Sequence, residues 1–185
     1  MMRNHILIYL VLSISFFSST AVASDFTLFG FKLGEDIRKY ISSENLNIAE
    51  PYIEAEEELG FKQLVLNNPP VKNGAFELYS LAFGQGFRIH HISAFSEVAG
   101  LDYCLNQSIE WADKLGNRFK TIMLYDEHTS SGMEVRGYLG DVGYGDALDV
   151  RCNRYDDGKV FLFVLWRSAE ILKAISEFHE GYQKF

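Results

Sequence analysis

Cys104 and Cys152 are the only cysteines in this 185-residue chain, and the patterns around them restrict its fold more than any other feature. From Leu101 to Phe119 the apolar residues recur as Leu101, Cys104, Leu105, Ile109, Ala112, Leu115 and Phe119. That spacing is one stripe of an amphipathic helix, with Cys104 on it. From Ala147 to Tyr155 the alternation Leu148, Val150, Cys152 is the inward face of a strand. Both thiols then point into one core, and an even pair of cysteines in an oxidising compartment closes as a disulfide. A Cys104–Cys152 bond staples a helix to a sheet. A catalytic thiolate would need a neighbouring base. Cys104 has none nearby in sequence, and Cys152 has only Arg151 and Arg154.

The first 23 residues point to that compartment. Arg3 supplies a positive charge, Ile6 to Phe17 is an almost unbroken apolar run, and Ala21-Val22-Ala23 offers small residues for cleavage. This is the three-part pattern of a secretory signal peptide. It predicts a cleaved leader at residues 1–23, one domain over residues 24–185, and a periplasmic or secreted product. The apolar run is shorter than the roughly 20 residues a spanning helix needs. The first cysteine after it is Cys104, so no lipoprotein-type anchor is expected. The chain carries 17 basic against 25 acidic residues, and Arg3 is lost with the leader. Nucleic acid and anionic membrane surfaces are poor partners for that balance. The expected partner is another protein, with a basic one the best electrostatic fit.

Along the rest of the chain, Phe26 to Leu33 reads as a first strand and Glu35-Asp36 as the opening of a helix. Residues 42–47 read as a turn, and Tyr52 to Leu59, after Pro51, as a second short helix. Phe61 to Leu66 is strand-like. Residues 76–83 and 87–95 form a hairpin around Gly84-Gln85-Gly86. Thr121 to Tyr125 fits either a strand or a continuation of the preceding helix. Gly132, Gly137, Gly140, Gly143 and Gly145 then suggest a loose connection. Residues 147–155 and 159–166 are a strand pair around Asp156-Asp157-Gly158. Val160 to Leu165 is apolar at every position, the mark of a central strand buried on both faces. Residues 169–185 close the chain as a helix. Strands arriving in hairpins predict an α+β domain: an antiparallel sheet of about five strands with helices packed on one face. The segment Phe29-Gly30-Phe31-Lys32-Leu33-Gly34, leading into a short helix, resembles the opening of several small bacterial periplasmic modules. No function follows from so short a match.

Candidate chemistry is sparse. His90 and His91 are strand neighbours, so their rings point to opposite faces unless a bulge intervenes. One is expected in solvent and one in the packed face, with no shared metal. His128 and His179 lie far away, and no His-Glu-x-x-His spacing exists. The stretch from Gly137 to Gly145 lacks the lysine and hydroxyl residue of a phosphate-binding loop and the glycine spacing of a dinucleotide site. It reads as a surface loop, with Tyr138, Asp141 and Tyr144 as contact residues for a partner. Glu50, Glu54, Glu56, Glu57 and Glu58 form an acidic run. Of these, Glu54, Glu57 and Glu58 are the contacts a basic partner would meet. No Gly-x-Ser-x-Gly elbow is present. The sequence therefore points to no catalytic, cofactor-binding or metal-binding residue. It reads as a non-enzymatic binding or inhibitory protein of the immunity type. The alternatives are an envelope-assembly accessory, or a small extracytoplasmic hydrolase whose site is assembled from distant residues.

Overall fold

The computed structural model describes residues 26–52, 59–129 and 132–182, so the leader expected at residues 1–23 lies outside the described residues. These residues form eight strands: β1 (Glu50–Pro51), β2 (Lys62–Leu66), β3 (Leu78–Phe83), β4 (Ile89–Val98), β5 (Thr121–His128), β6 (Glu134–Gly143), β7 (Asp146–Arg154) and β8 (Val160–Arg167). Three helices accompany them: α1 (Ser43–Leu46), α2 (Leu101–Leu115) and α3 (Ala169–Tyr182). The strands make one antiparallel sheet in the order β1-β2-β3-β4-β8-β7-β6-β5. Two meanders, β1–β4 and β5–β8, thus meet at the β4–β8 seam. Helix α2 is the connection from the middle of the sheet to its far edge. Among the described residues no helix is long and apolar enough to cross a membrane.

The architecture is α+β, as the hairpin pattern implied, but the sheet has eight strands instead of about five. The main additions come from residues 121–143. Of the five glycines read as a loose connection, Gly137, Gly140 and Gly143 are ladder positions of β6, while Gly132 precedes the strand and Gly145 sits in the turn after it. A Cβ on Gly137 would lie 2.4 Å from the Val150 carbonyl oxygen, and one on Gly140 would lie 1.8 Å from the Phe119 ring. Here glycine permits close packing, not disorder. Residues 26–33, in contrast, are no strand. They form a tight turn pinned by a Leu28–Phe31 bridge, with Phe29 at φ 55° and Gly30 at φ 83°. Phe26, Leu28, Phe29 and Phe31 all drop into the core from it.

Other local expectations shift in smaller ways. The helix opening at Glu35-Asp36 is one 3-10 turn, Ile37–Lys39, capped by the Asp36 carboxylate, which accepts from the Arg38 N–H. The turn at residues 42–47 contains α1, capped by Ser42. Pro51 belongs to β1, and most of the helix expected from Tyr52 to Leu59 falls on residues outside those described.

The sheet has two differently built faces. On one, Leu148, Val150 and Cys152 of β7, Leu162, Val164 and Trp166 of β8, and Ile92 and Ala94 of β4 are all buried beneath α2 and the 26–46 segment. Cys104 and Cys152 are bonded, their Cα atoms 5.9 Å apart. The staple expected from the sequence is therefore present. The buried stripe of α2 is Cys104, Ser108, Trp111, Ala112 and Leu115. It is rotated from the expected stripe: Trp111 turns inward against Phe76, with ring centroids 5.1 Å apart, and Ile109 turns out.

Helix α3 lies on the other face, so the helices do not share one side as expected. Its Ile171 packs with Ala82, Tyr52 and Phe61, and Ala82 alternates with the opposite-facing Leu81 and Phe83. Ser168 caps α3 by accepting from the Ile171 N–H, and Asp146 accepts from the Ala169 N–H at 3.0 Å. Strand β8 is central, as its apolar run required. Its second face is only partly covered, because Phe161 and Phe163 are half-buried there.

Candidate functional site

Strand β5 ends the sheet, and its sequence does not suit an edge. Ile122, Met123 and Leu124 are 52%, 57% and 68% exposed. On the α2 side, Ile122 and Leu124 border an open groove of about 540 Å³. Ile109, turned out of the core, forms its helical wall with Ala112 and Gly116, and Phe119 and Tyr138 close it. Tyr138 stands directly opposite Leu124 in the β5–β6 ladder. On the other side of the sheet, Met123, Leu139, Asp141, Asp146 and Ala147 line a second hollow of about 400 Å³. The remaining exposed large apolar side chains, such as Ile48, Val71 and Tyr103, are scattered. A contiguous apolar patch is what marks an interaction surface.

The tip between β6 and β7 adds a strained aromatic. Gly143 pairs with Asp146, leaving Tyr144-Gly145 as a two-residue turn. Their φ values are 60° and 81°, the combination that favours Asn-Gly or Gly-Gly. A tyrosine in the left-handed region costs about 1 kcal/mol. Tyr144 is also 73% exposed, with the Lys120 ammonium 5.7 Å from its ring centre. The Asp141 carboxylate accepts from the Gly143 N–H at 2.6 Å and so pins this turn. Nothing in the core requires Tyr144 here, so the strain is better explained by what the ring presents to the outside.

A second cluster lies on the α3 face. Asp149, 1% exposed, accepts from the Tyr125 hydroxyl at 2.9 Å, Arg151 Nη1 at 3.2 Å and Arg167 Nη2 at 3.3 Å. Tyr125 reaches it across Gly137, which has no side chain to block the path. Burial pushes the Asp149 carboxyl above the usual carboxylate range, against the pull of the two guanidiniums. Burial also raises the Tyr125 phenol, aided by the Asp149 charge. His91 joins from β4: its Nδ1 is 3.1 Å from the Tyr52 hydroxyl. Burial, then Arg167 and Arg151, lowers its pKa to about 3, so the ring is neutral.

The histidine pair departs from expectation. Ala82 pairs with His91 but Phe83 pairs with Ile89, so His90 is the extra residue of a β-bulge. Both rings are buried, and both meet the same aromatic layer: His90 lies 5.2 Å from the Phe61 ring and His91 5.0 Å from Tyr52. Neither is solvent-facing. His90 Nδ1 bonds Ser168 Oγ at 3.1 Å and helps seat α3. Among the described residues no three His, Cys, Asp or Glu side chains are grouped to hold a metal.

Of the residues expected to meet a partner, Tyr138, Asp141 and Tyr144 fall at one end of the sheet: Tyr138 and Asp141 lie within β6 instead of a loop, and only Tyr144 lies in a turn. Tyr138 lines the α2-side groove, Asp141 the opposite hollow, and Tyr144 the tip between strands. Glu54, Glu57 and Glu58 lie outside the described residues. Ile109, Ile122, Met123 and Leu124 were missed as surface residues. For the last three the signal was the apolar run between Thr121 and Tyr125, which fits a strand or a continued helix and carries no mark of an edge; Ile109 sat on the apolar stripe expected to face the core. No protein-family model matches this chain, and no curated protein or solved structure is significantly similar to it.

Proposed function

We propose that this chain is a periplasmic or secreted, non-enzymatic binding protein of the inhibitory or immunity type. Its working surface is the β5–β6 end of the sheet. The observation that carries the reading is the continuous exposed apolar run Ile122-Met123-Leu124, flanked by two hollows and the strained Tyr144. The Cys104–Cys152 bond supports an oxidising compartment. The chain's formal charge of −8 favours a partner with a basic surface.

One observation favours a hydrolase reading. Tyr52, His91, Tyr125, Asp149, Arg151 and Arg167 are distant in sequence yet gathered on one face. The partners assigned to them describe a structural network instead. Asp149 already accepts three hydrogen bonds, and the neutral His91 ring is bonded to Tyr52, not to a nucleophile.

Affinity capture with the oxidised protein tests the binding reading. Wild type is compared with Leu124→Asp, and with the double variant Tyr138→Ala and Tyr144→Ala. The partner retained by wild type should be lost from both variants, and its retention should weaken with salt. A partner held equally by all three proteins would remove the β5–β6 end from the function.

A further inference from the structure

We propose that β5 is the seam of a two-fold homodimer, in which the β5 strands of two copies pair antiparallel and extend the sheet, with the two Met123 residues opposite each other. The two edges of the sheet differ in the features that prevent such pairing. The β1 edge is two residues long and ends in Pro51, which has no N–H to donate. The β5 edge runs for eight residues without proline or lysine, and exposes Ile122, Met123 and Leu124. Short strands, proline and charge protect natural edges, and the first half of β5 has none of these.

Self-pairing is restricted by the pleat. Residues directly opposite each other in an antiparallel ladder share a face, so the two-fold axis must pass through a residue and not between two. Centred on Met123, the register sets Ile122 against Leu124, Thr121 against Tyr125, and Lys120 against Asp126, each pair occurring twice. Centred on Leu124, it sets Ile122 against Asp126. Centred on Tyr125, it sets Leu124 against Asp126. Centred on Ile122, it sets Leu124 against Lys120. Between residues 120 and 126, only the Met123 register sets no apolar side chain against a charged one, and it alone pairs the Lys120 cation with the Asp126 anion. Lys120 is exposed, and Asp126 stays 52% exposed while bonded to Arg136 at 3.1 Å. Because the contact is isologous and the β1 edge is blocked, assembly closes at two copies instead of growing into a fibre.

The inference rests on the reading of the β5–β6 end as an interaction surface, and names the occupant of its strand edge. The test is light scattering and sedimentation of the oxidised chain over a range of concentrations. It is joined by oxidative cross-linking of Met123→Cys and Leu124→Cys, two variants with comparably exposed thiols. The expected results are a monomer–dimer equilibrium, a covalent dimer from Met123→Cys far in excess of that from Leu124→Cys, and loss of the dimer in Lys120→Glu with an unchanged circular dichroism spectrum. Monomer at every concentration, or equal cross-linking of the two cysteine variants, would overturn the dimer. If monomeric protein still captures a partner that Leu124→Asp loses, the dimer fails alone and the binding reading stands.

Discussion

The two faces of the sheet hold the fold by different physics. Beneath α2, the centre of the sheet is apolar: Leu148, Val150, Leu162, Val164 and Ile92 are fully or almost fully buried, and a disulfide ties the helix to them. On the α3 side, the same strands bury Asp149 between Arg151, Arg167 and Tyr125, with a neutral histidine beside them. Burial of apolar area is non-directional and insensitive to pH. A buried carboxylate between guanidiniums is neither, because each partner's removal leaves an uncompensated charge. One face should therefore respond to deleted volume or a cut covalent link, and the other to deleted charge or a changed proton count.

The largest effect should come from the covalent side. Replacing both cysteines with serine, or reducing the bond, opens a loop spanning 48 residues. That should cost about 4 kcal/mol on the chain-entropy relation. Urea midpoints with and without reductant measure it, and the loss should be equal at pH 5 and pH 8. A loss that grew toward acid would show that the staple also supports the charged face. Next, Asp149→Asn keeps the side chain's shape but strands two guanidiniums. Both retain some solvent contact, with Arg151 25% and Arg167 19% exposed, so the cost should fall near the low end for a broken buried pair, about 3 kcal/mol. Asp149→Asn unfolding at the wild-type urea midpoint would contradict the comparison.

This division was half legible in the chain. Alternation in residues 147–155 correctly gave Leu148, Val150 and Cys152 to the α2 face. The burial of Asp149 and Arg151 on the opposite face was not read from it, because it depends on Tyr125 and Arg167 of other strands. Position within the sheet was legible for β8, whose apolar run marks a central strand, but not for β5. Thr121–Tyr125 and Val160–Leu165 share a local pattern, yet one became an exposed edge and the other the central strand. Strand order is decided by the long connection through α2, and no periodicity in a short window records it. The glycines of β6 were misread for a related reason. Their role is set by Phe119 and Arg151 packing against them, residues that belong to other elements. The histidine bulge was likewise invisible, because it is a property of the β3–β4 register.

His91 gives the third test, on the charged face alone. Its pKa is lowered from 6.5 to about 3 in the folded chain. Above pH 6.5 the ring is neutral in both states and makes no pH-dependent difference. Below it, the unfolded chain takes up a proton that the folded chain refuses, so stability falls as pH drops from 6.5 toward 3. The slope from this group approaches about 1.4 kcal/mol per pH unit inside that window. His91→Gln should remove that contribution and leave the slope from the carboxylates. Identical slopes in wild type and variant between pH 6 and pH 4 would mean that the ring titrates freely.

The smallest effect tests whether the edge strand is tied to the charged face at all. Tyr125 belongs to β5, the end of the sheet, and its hydroxyl reaches Asp149 of β7 at 2.9 Å across Gly137 of β6. Tyr125→Phe removes one hydrogen bond to a charged acceptor and little else, so it should cost about 1.5 kcal/mol. That loss alone could come from altered packing of the ring. The double variant Tyr125→Phe with Asp149→Asn separates the two causes. If the hydroxyl acts through Asp149, Tyr125→Phe should cost much less in the Asp149→Asn background than in wild type, a coupling of about 1 kcal/mol. Strict additivity would mean that β5 is held by its ladder to β6 alone. The charged face would then stop at β7, and the exposed apolar edge would be the more weakly anchored end of the sheet. A coupled result makes Tyr125 the link that holds β5 in line for the strand-to-strand pairing proposed for Met123.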